Sequence, residues 1–408
     1  MTLGAIRGID CLLSMDPSVG EGVLGMLRDA AVVWEGHRIV YVGSDRDAPD
    51  VPGASDGRGG LVLPGLIDSH THAVWAGSRF EEFEQRLAGV SYTEILEQGG
   101  GILSTVAATR SATEDALLEL AVARLRTARS RGVTTMEVKS GYGLNLDTEL
   151  RLLRVAREAG RRAGVRVVPT FLGAHAIPAE YRGDRAAYVQ LVIDEMLPSV
   201  VGLADYADVY VDRGAFTVEE GHAILLRARA LGLGVRIHAE QVTLTGAAAM
   251  AAGLGAASCD HLERIDDVGI AAMAAAGCVA TMLPGAMTFL RDPSPPVDRL
   301  REAGVAMAVA TDLNPGSSPV VDPWACMTLA AVSMRLTVPE VLSGMTRVAA
   351  QSLGLPTAGR IVVGGPADLA HVAPPWGAQA LPAALIGQLG GVVVRETVAS
   401  GRRSTPAS

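Results

Sequence analysis

Two histidines spaced i, i+2 close an apolar run, Leu63-Pro64-Gly65-Leu66-Ile67-Asp68-Ser69-His70-Thr71-His72. On an extended strand that spacing turns both imidazoles to one face, as two ligands of one metal ion require. Other apolar runs also end in polar groups: His175 after Val165–Leu172, His238 within Val235–Ala239, Asp260-His261 closing Ala256–His261, and Asp312 after Val305–Thr311. Five of the eight histidines therefore sit at or just past the ends of strand-like runs. Each one alone is compatible with a structural role, and Asp312 alone with a helix N-cap. As a set, they are the donors of a metal centre. Three imidazoles and one carboxylate suit Zn²⁺ or iron (Fe²⁺ or Fe³⁺), with a position left for water. Such an ion brings the pKa of a water towards neutrality, and a nearby carboxylate or imidazole must carry the proton. The expected ligands are His70, His72, His238 and Asp312. His261 is reserved as an acid/base and electrophile, because a fifth protein ligand would crowd out water or substrate. His37, His222 and His371 receive no role.

These donors can meet only if the runs are neighbouring strands of one sheet. Eight candidates are present: Gly65–His70, Val133–Lys139, Val165–Leu172, Ala207–Val211, Val235–Ala239, Ala256–His261, Cys278–Leu283 and Val305–Thr311. Between them lie segments of helical periodicity, among them Thr113–Ser130, Asp147–Ala163, Glu219–Leu231 and Pro339–Leu353. Alternation of this kind predicts a parallel sheet, and eight units over about 250 residues fit a (β/α)8 barrel, whose chemistry collects at the strand C-termini. A doubly wound open sheet is the second reading. No Gly-x-Gly-x-x-Gly follows a strand, so nothing points to a dinucleotide.

Both ends of the chain read as short strands. Ala31–Trp34 and Arg38–Gly43 flank a Glu35-Gly36 turn. Near the other end lie Gly359–Val363, Ala367–Val372, and a pair formed by Gly391–Arg395 and Thr397–Gly401. We expect residues 1–58 and 358–408 to pair into one small composite β-domain beside a barrel over residues 59–357. With 408 residues, 49% hydrophobic and 19% charged, the chain is globular. A net charge of −9 disfavours a nucleic-acid partner. No leader pattern opens the chain and no apolar stretch is long enough to span a bilayer, so no membrane association is expected. Cys11, Cys259, Cys278 and Cys326 are scattered without CxxC pairing, which fits a reducing cytoplasm.

The pattern of His-x-His on strand one, His on strands five and six and Asp on strand eight resembles the amidohydrolase superfamily. Within it, the chain most resembles the imidazolonepropionase family of histidine degradation. The matching segments are Asp68–Arg79, Gly99–Ile102, Lys139–Leu144, Thr170–His175, Ile237–Gln241, Asp260–Leu262 and Ala310–Ser318. Lys-Ser-Gly-Tyr-Gly, Phe-Leu-Gly-Ala-His and Asp-x-Asn-Pro-Gly-Ser-Ser are the more particular of these. The resemblance implies metal-dependent hydrolysis of 4-imidazolone-5-propanoate to N-formimidoyl-L-glutamate by a homodimer. It also implies that His70, His72, His238 and Asp312 bind the metal. Arg79, Tyr142, His175, Gln241, Asn314, Gly316 and Ser317 would contact the substrate, and His261, Asp312 and His175 would serve the chemistry. An arginine suits the propionate of that substrate, since its planar fork matches a carboxylate. Tyr142, on a tight turn after Gly141, could aim at the same group. The backbone of Gly316-Ser317 would offer N–H donors to a polar ring. Spacing alone leaves open whether Glu240 or Gln241 faces the pocket.

Two departures sharpen the expectation. Binuclear superfamily members carry a carboxylated lysine on strand four, whereas Ala207–Asp212 contains none, so one ion per subunit is expected. Lys139, at the end of strand two, is read as structural. Nucleobase deaminases place a glutamate three residues after the strand-five histidine; Gln241 stands there, which weighs against deamination. The alternatives are a related mononuclear amidohydrolase or deaminase acting on another carboxylated N-heterocycle, and a binding protein that keeps the metal only structurally.

Overall fold

The structure, a computed structural model, describes residues 3–90, 94, 100–374 and 379–405; Gly99 of the glycine run lies outside them. The end sheet begins with β1 (Leu3–Leu13), β2 (Met26–Glu35), β3 (Arg38–Ser44), β4 (Ser55–Asp56) and β5 (Leu61–Pro64). The barrel follows with β6 (Leu66–Asp68), β7 (Val133–Lys139), β8 (Arg166–Ala174), β9 (Tyr206–Val211), β10 (Gly234–Ala239), β11 (Ser258–His261), β12 (Val279–Met282) and β13 (Met307–Val309). The chain then returns to the end sheet as β14 (Leu369–Ala373), β15 (Val393–Ala399) and β16 (Arg402–Ser404).

The eight barrel strands run parallel in sequence order, and every residue of β7 is buried. Strands covered on both faces tend to read as near-continuous apolar runs, as much of β8 does; β7 departs from this and buries Thr134, Thr135, Glu137 and Lys139. The seam between the first and last strands closes beyond their ends, through the parallel bridge Thr71–Leu313. His72 N–H donates to Leu313 O at 2.9 Å and Asp312 N–H to His70 O at 3.0 Å. Deeper in the seam, the buried Asp68 carboxylate accepts from Thr311 N and Thr311 Oγ1. Closing the barrel therefore also fixes His70, His72 and Asp312 beside one another.

Helices between the strands start where local caps allow. Thr113, Asn145 and Thr217 each accept a backbone N–H of the first turn, and Thr217 forms a capping box with Glu220. The segment expected to be one helix over Pro339–Leu353 is two, Val338–Gly344 and Arg347–Ser352. Thr346 between them is non-helical, and its hydroxyl donates to Leu342 O.

The end sheet has the order β16-β15-β14-β5-β1-β2-β3, with β4 beside β1. It joins the two ends of the chain, since β14 pairs antiparallel with β5, and β5 parallel with β1. Ile6, Ile9, Leu12, Val32, Trp34, Val62, Leu369 and Val398 fill its core. Three readings of this region are corrected. β1 was not among the expected strands, because its apolar run is interrupted by Arg7, Gly8 and Asp10. Gly359–Val363 is not a strand; Ile361 N–H donates to Ser14 O as a loop contact. The two strands expected over Gly391–Gly401 are one, because the turn falls later, at Ser400-Gly401, where Ser400 N–H is held by Asp368.

Candidate active site

The C-terminal ends of the barrel strands bring five of the expected donors together. His70, His72 and Asp312 form one group of ligand atoms within 4.8 Å of each other; His70, His238 and His261 form a second. His70 belongs to both. His70 Nε2 and His72 Nε2 stand 3.4 and 3.5 Å from Asp312 Oδ1. The His70 ring lies 4.5 Å from that of His238 and 6.0 Å from that of His261. All five side chains are buried.

The donor set fits a metal ion. Among the described residues, the buried His70 Nε2, His238 Nε2 and His72 Nδ1 have no hydrogen-bond partner. A buried polar atom without a partner is costly unless something else satisfies it. The opposite nitrogens of two of these rings are taken: His70 Nδ1 meets Asp260 Oδ2 at 2.7 Å, and His238 Nδ1 meets Asp208 Oδ1 at 3.1 Å. A carboxylate accepts only, so each Nδ1 carries a proton, and each Nε2 is left facing the centre, where it can give its lone pair to an ion. A cation is also favoured electrostatically. Burial and Lys139 oppose a charge on His70, yet Asp260 and Asp312 outweigh them and raise it to about 9. Asp312 is held well below the usual carboxylate range, because His70 and His72 outweigh burial. His238 is pushed down to about 3, chiefly by burial.

Beneath the donors lies a buried charge network, of which only Lys139 was expected to be structural. Its ammonium sits 2.7 Å from both Glu137 Oε1 and Asp208 Oδ2. Arg236 donates to Ser69 O and stands 3.5 Å from Asp260. The carboxylates that orient His70 and His238 are thereby tied to two fixed cations. Glu149, equally unforeseen, accepts the N–H groups of Gly141, Gly143 and Leu144 and so shapes the loop that carries Tyr142.

Expected substrate contacts surround this centre. The His175 ring stacks on His72 at 5.1 Å and 17°, and its Nδ1 donates to Gly141 O at 3.0 Å. Burial and the neighbouring imidazoles push it well below its usual range, so it is neutral with Nε2 as an acceptor. Tyr142 lies 5.8 Å from His72 and 5.5 Å from His175, ring to ring. Arg79 turns its Nε and Nη2 to Glu82, while a Cβ at Gly316 would collide with its guanidinium. Glu82 in turn accepts from Gly101 N and Ser104 Oγ.

Two details go beyond or against the sequence reading. Gly316 N and Ser317 N both donate to Asn314 Oδ1, and Ser317 Oγ bonds Asn314 Nδ2. The side chain of Asn314 thus folds the loop on itself, and those backbone donors are not free for a ligand. The choice between Glu240 and Gln241 is decided by backbone. Glu240 has φ +58, which breaks strand alternation and turns its carboxylate to Thr245 N, Gly246 N and Ala248 N. Gln241 instead accepts from Tyr210 Oη, whose ring lies 5.8 Å from His238. His261 and Asp312 also have positive φ, at +80 and +53. Non-glycine residues held there cost energy and cluster at functional sites.

The amidohydrolase family model matches residues 61–403. The chain is 49% identical over 365 residues to the imidazolonepropionase of Shewanella halifaxensis, covering 88% of this chain and 89% of that protein. With the imidazolonepropionase of Shewanella loihica it shares 46% over 399 residues, 96% of each. Among solved structures, a triazine hydrolase from Arthrobacter aurescens superposes with a TM-score of 0.76 at 20% identity, covering 99% of this chain and 95% of that one. A zinc-bound adenosine deaminase from Xanthomonas campestris gives 0.74 at 17%, covering 98% and 92%. At those identities the likeness is one of fold. The chain belongs to the amidohydrolase family, hydrolases of carbon–nitrogen bonds, and within it to the imidazolonepropionases.

Proposed function

We propose that this chain hydrolyses the ring C–N bond of 4-imidazolone-5-propanoate to N-formimidoyl-L-glutamate, a step of histidine degradation, using one metal ion, zinc or iron. The observation that carries the reading is the meeting of His70, His72, His238, His261 and Asp312 at one barrel mouth beside Tyr142 and His175. The relatives' name supports the same substrate. His70, His72, His238 and Asp312 would hold the ion, His70 and His238 through Nε2. An ion bound there polarises a carbonyl and acidifies water. A single ion is supported by β9, which has no lysine, and by Lys139, whose ammonium is committed to Glu137 and Asp208.

The chain's own residues do the rest. Arg79, held between Glu82 and Gly316, would bring its charge to the propionate, and Tyr142 would supply a phenol beside it. His175 Nε2 accepts a ring N–H and sets the plane of the heterocycle. Gln241, Asn314, Gly316 and Ser317 complete the walls. His261 and Asp312 take the proton from the attacking water and return it to the ring nitrogen. The hydroxyl ends on the carbonyl carbon, the proton on the nitrogen, and the ring opens. The four cysteines are free thiols, which supports a reducing cytoplasm as the location, and we extend the reading to a homodimer.

The test is turnover of 4-imidazolone-5-propanoate with metal content measured before and after chelation. Ring opening that disappears with the ion and returns on reloading is expected. Metal-replete protein that leaves the ring intact would overturn the reading.

A further inference from the structure

His261 and Leu262 have φ of +80 and +74, the only adjacent pair of non-glycine residues with positive φ among the described residues. Two left-handed residues in succession reverse the chain directly after β11. The reversal is fastened to the neighbouring strand end, where Leu262 N–H donates to Ala239 O and Arg264 N–H to Glu240 O. Its consequence is the place of Glu263. The side chain is 1% exposed, and Oε1 stands 3.8 Å from His261 Nδ1. Neither carboxylate oxygen of Glu263 has a hydrogen-bond partner among the described residues, and neither does His261 Nδ1. No lysine or arginine lies within ion-pair distance of Glu263 among those residues.

A buried, unpaired carboxylate is destabilising, and so is a backbone that holds it there. The same site shows what such a group does elsewhere. Asp260 and Asp208 sit on Nδ1 of His70 and His238 and turn Nε2 of each ring towards the centre. His261 has the third carboxylate of this kind, standing about one ångström further off. Hydrogen bonds of proton-handling groups are often long until substrate is bound.

We propose that Glu263 is the positioning residue of His261: its carboxylate closes on Nδ1–H, fixes that tautomer, and directs Nε2 at the reacting atoms. This rests on the reading of His261 as a proton handler. Glu263 itself touches neither substrate nor ion.

The experiment is a double-mutant cycle on the metal-loaded enzyme with 4-imidazolone-5-propanoate, recording kcat, KM and metal content. Glu263→Gln in the native background should lower kcat by about 10–100-fold, with KM and metal content unchanged. Glu263→Asp, which keeps the charge on a shorter arm, should recover part of that loss. In the His261→Ala background neither substitution should lower kcat further, because groups that act as a unit are not additive. Equal losses in both backgrounds, or loss of metal on Glu263→Gln, would overturn the proposal. Should Glu263→Gln fail to fold, the same cycle with Glu263→Asp decides it. If His261→Ala alone leaves kcat intact, the reading of His261 falls first, so the two failures are distinguishable.

Discussion

His238 in the barrel and His371 in the end sheet are equally buried, at 3% and 2% exposure. Burial pushes both below the usual imidazole range, to about 3 and about 4, and each has a buried Nε2 without a hydrogen-bond partner among the described residues. By those measures the two are alike. Their company differs. His238 has Asp208 on Nδ1 and four other imidazoles within 6.0 Å, ring to ring. His371 lies on β14 against Gly60, with Arg395 lowering it further and Asp56 opposing. Burial therefore does not make a site. A carboxylate that fixes the tautomer, and further donors aimed at the same point, do.

The sharpest way to break this comparison is to remove each ring. His238→Ala should lose the bound metal and lower turnover by at least on the order of 10³-fold. His371→Gln should keep metal content and turnover near those of the parent, and a matching loss there would erase the distinction. The next test bears on what holds Asp208 in place. Lys139→Met leaves Glu137 and Asp208 buried without their shared cation, a change worth about 3–5 kcal/mol of stability. Urea unfolding of the metal-free protein measures it; a loss under about 1 kcal/mol would show that the network is not needed to hold these carboxylates.

The smallest effect concerns His371 alone. Its folded pKa of about 4 lies below the ordinary 6.5, so between those values the unfolded chain binds the extra proton. Stability from this group is complete above pH 6.5, falls as pH drops through the window, and levels off below about 4. The total is on the order of 3 kcal/mol. The difference in unfolding free energy between parent and His371→Gln, followed from pH 7 to 4, isolates it. A difference that does not vary with pH would mean that the ring is not kept neutral by burial.

What could be read from the sequence was local and periodic. Most barrel strands announce themselves as apolar runs, Thr113 sits at a helix start, and the polar residues that end several of the runs mark where the chemistry lies. His70, His72, His238, His261 and Asp312 were legible for that reason. The partners that give them a function were not. Asp260 on His70, Asp208 on His238 and Lys139 between carboxylates are contacts between strands, set by sheet register, which no single run of sequence reports. Glu149 is one of two acidic residues in a helical first turn, a place that gives no hint that it shapes the Tyr142 loop.

The left-handed turns at Glu240, His261 and Leu262 carry no glycine to reveal them, and they decide which side chain faces inward. Thus the sequence by itself determined the barrel, the composite end sheet in outline, and the types of donor at the strand ends. Only the tertiary structure decided which carboxylate meets which ring, that Gln241 bonds Tyr210 while Glu240 turns away, and that Glu263 comes to rest beside His261. The physical reason is that periodicity fixes the face of a regular strand, whereas register and positive φ fix the neighbour.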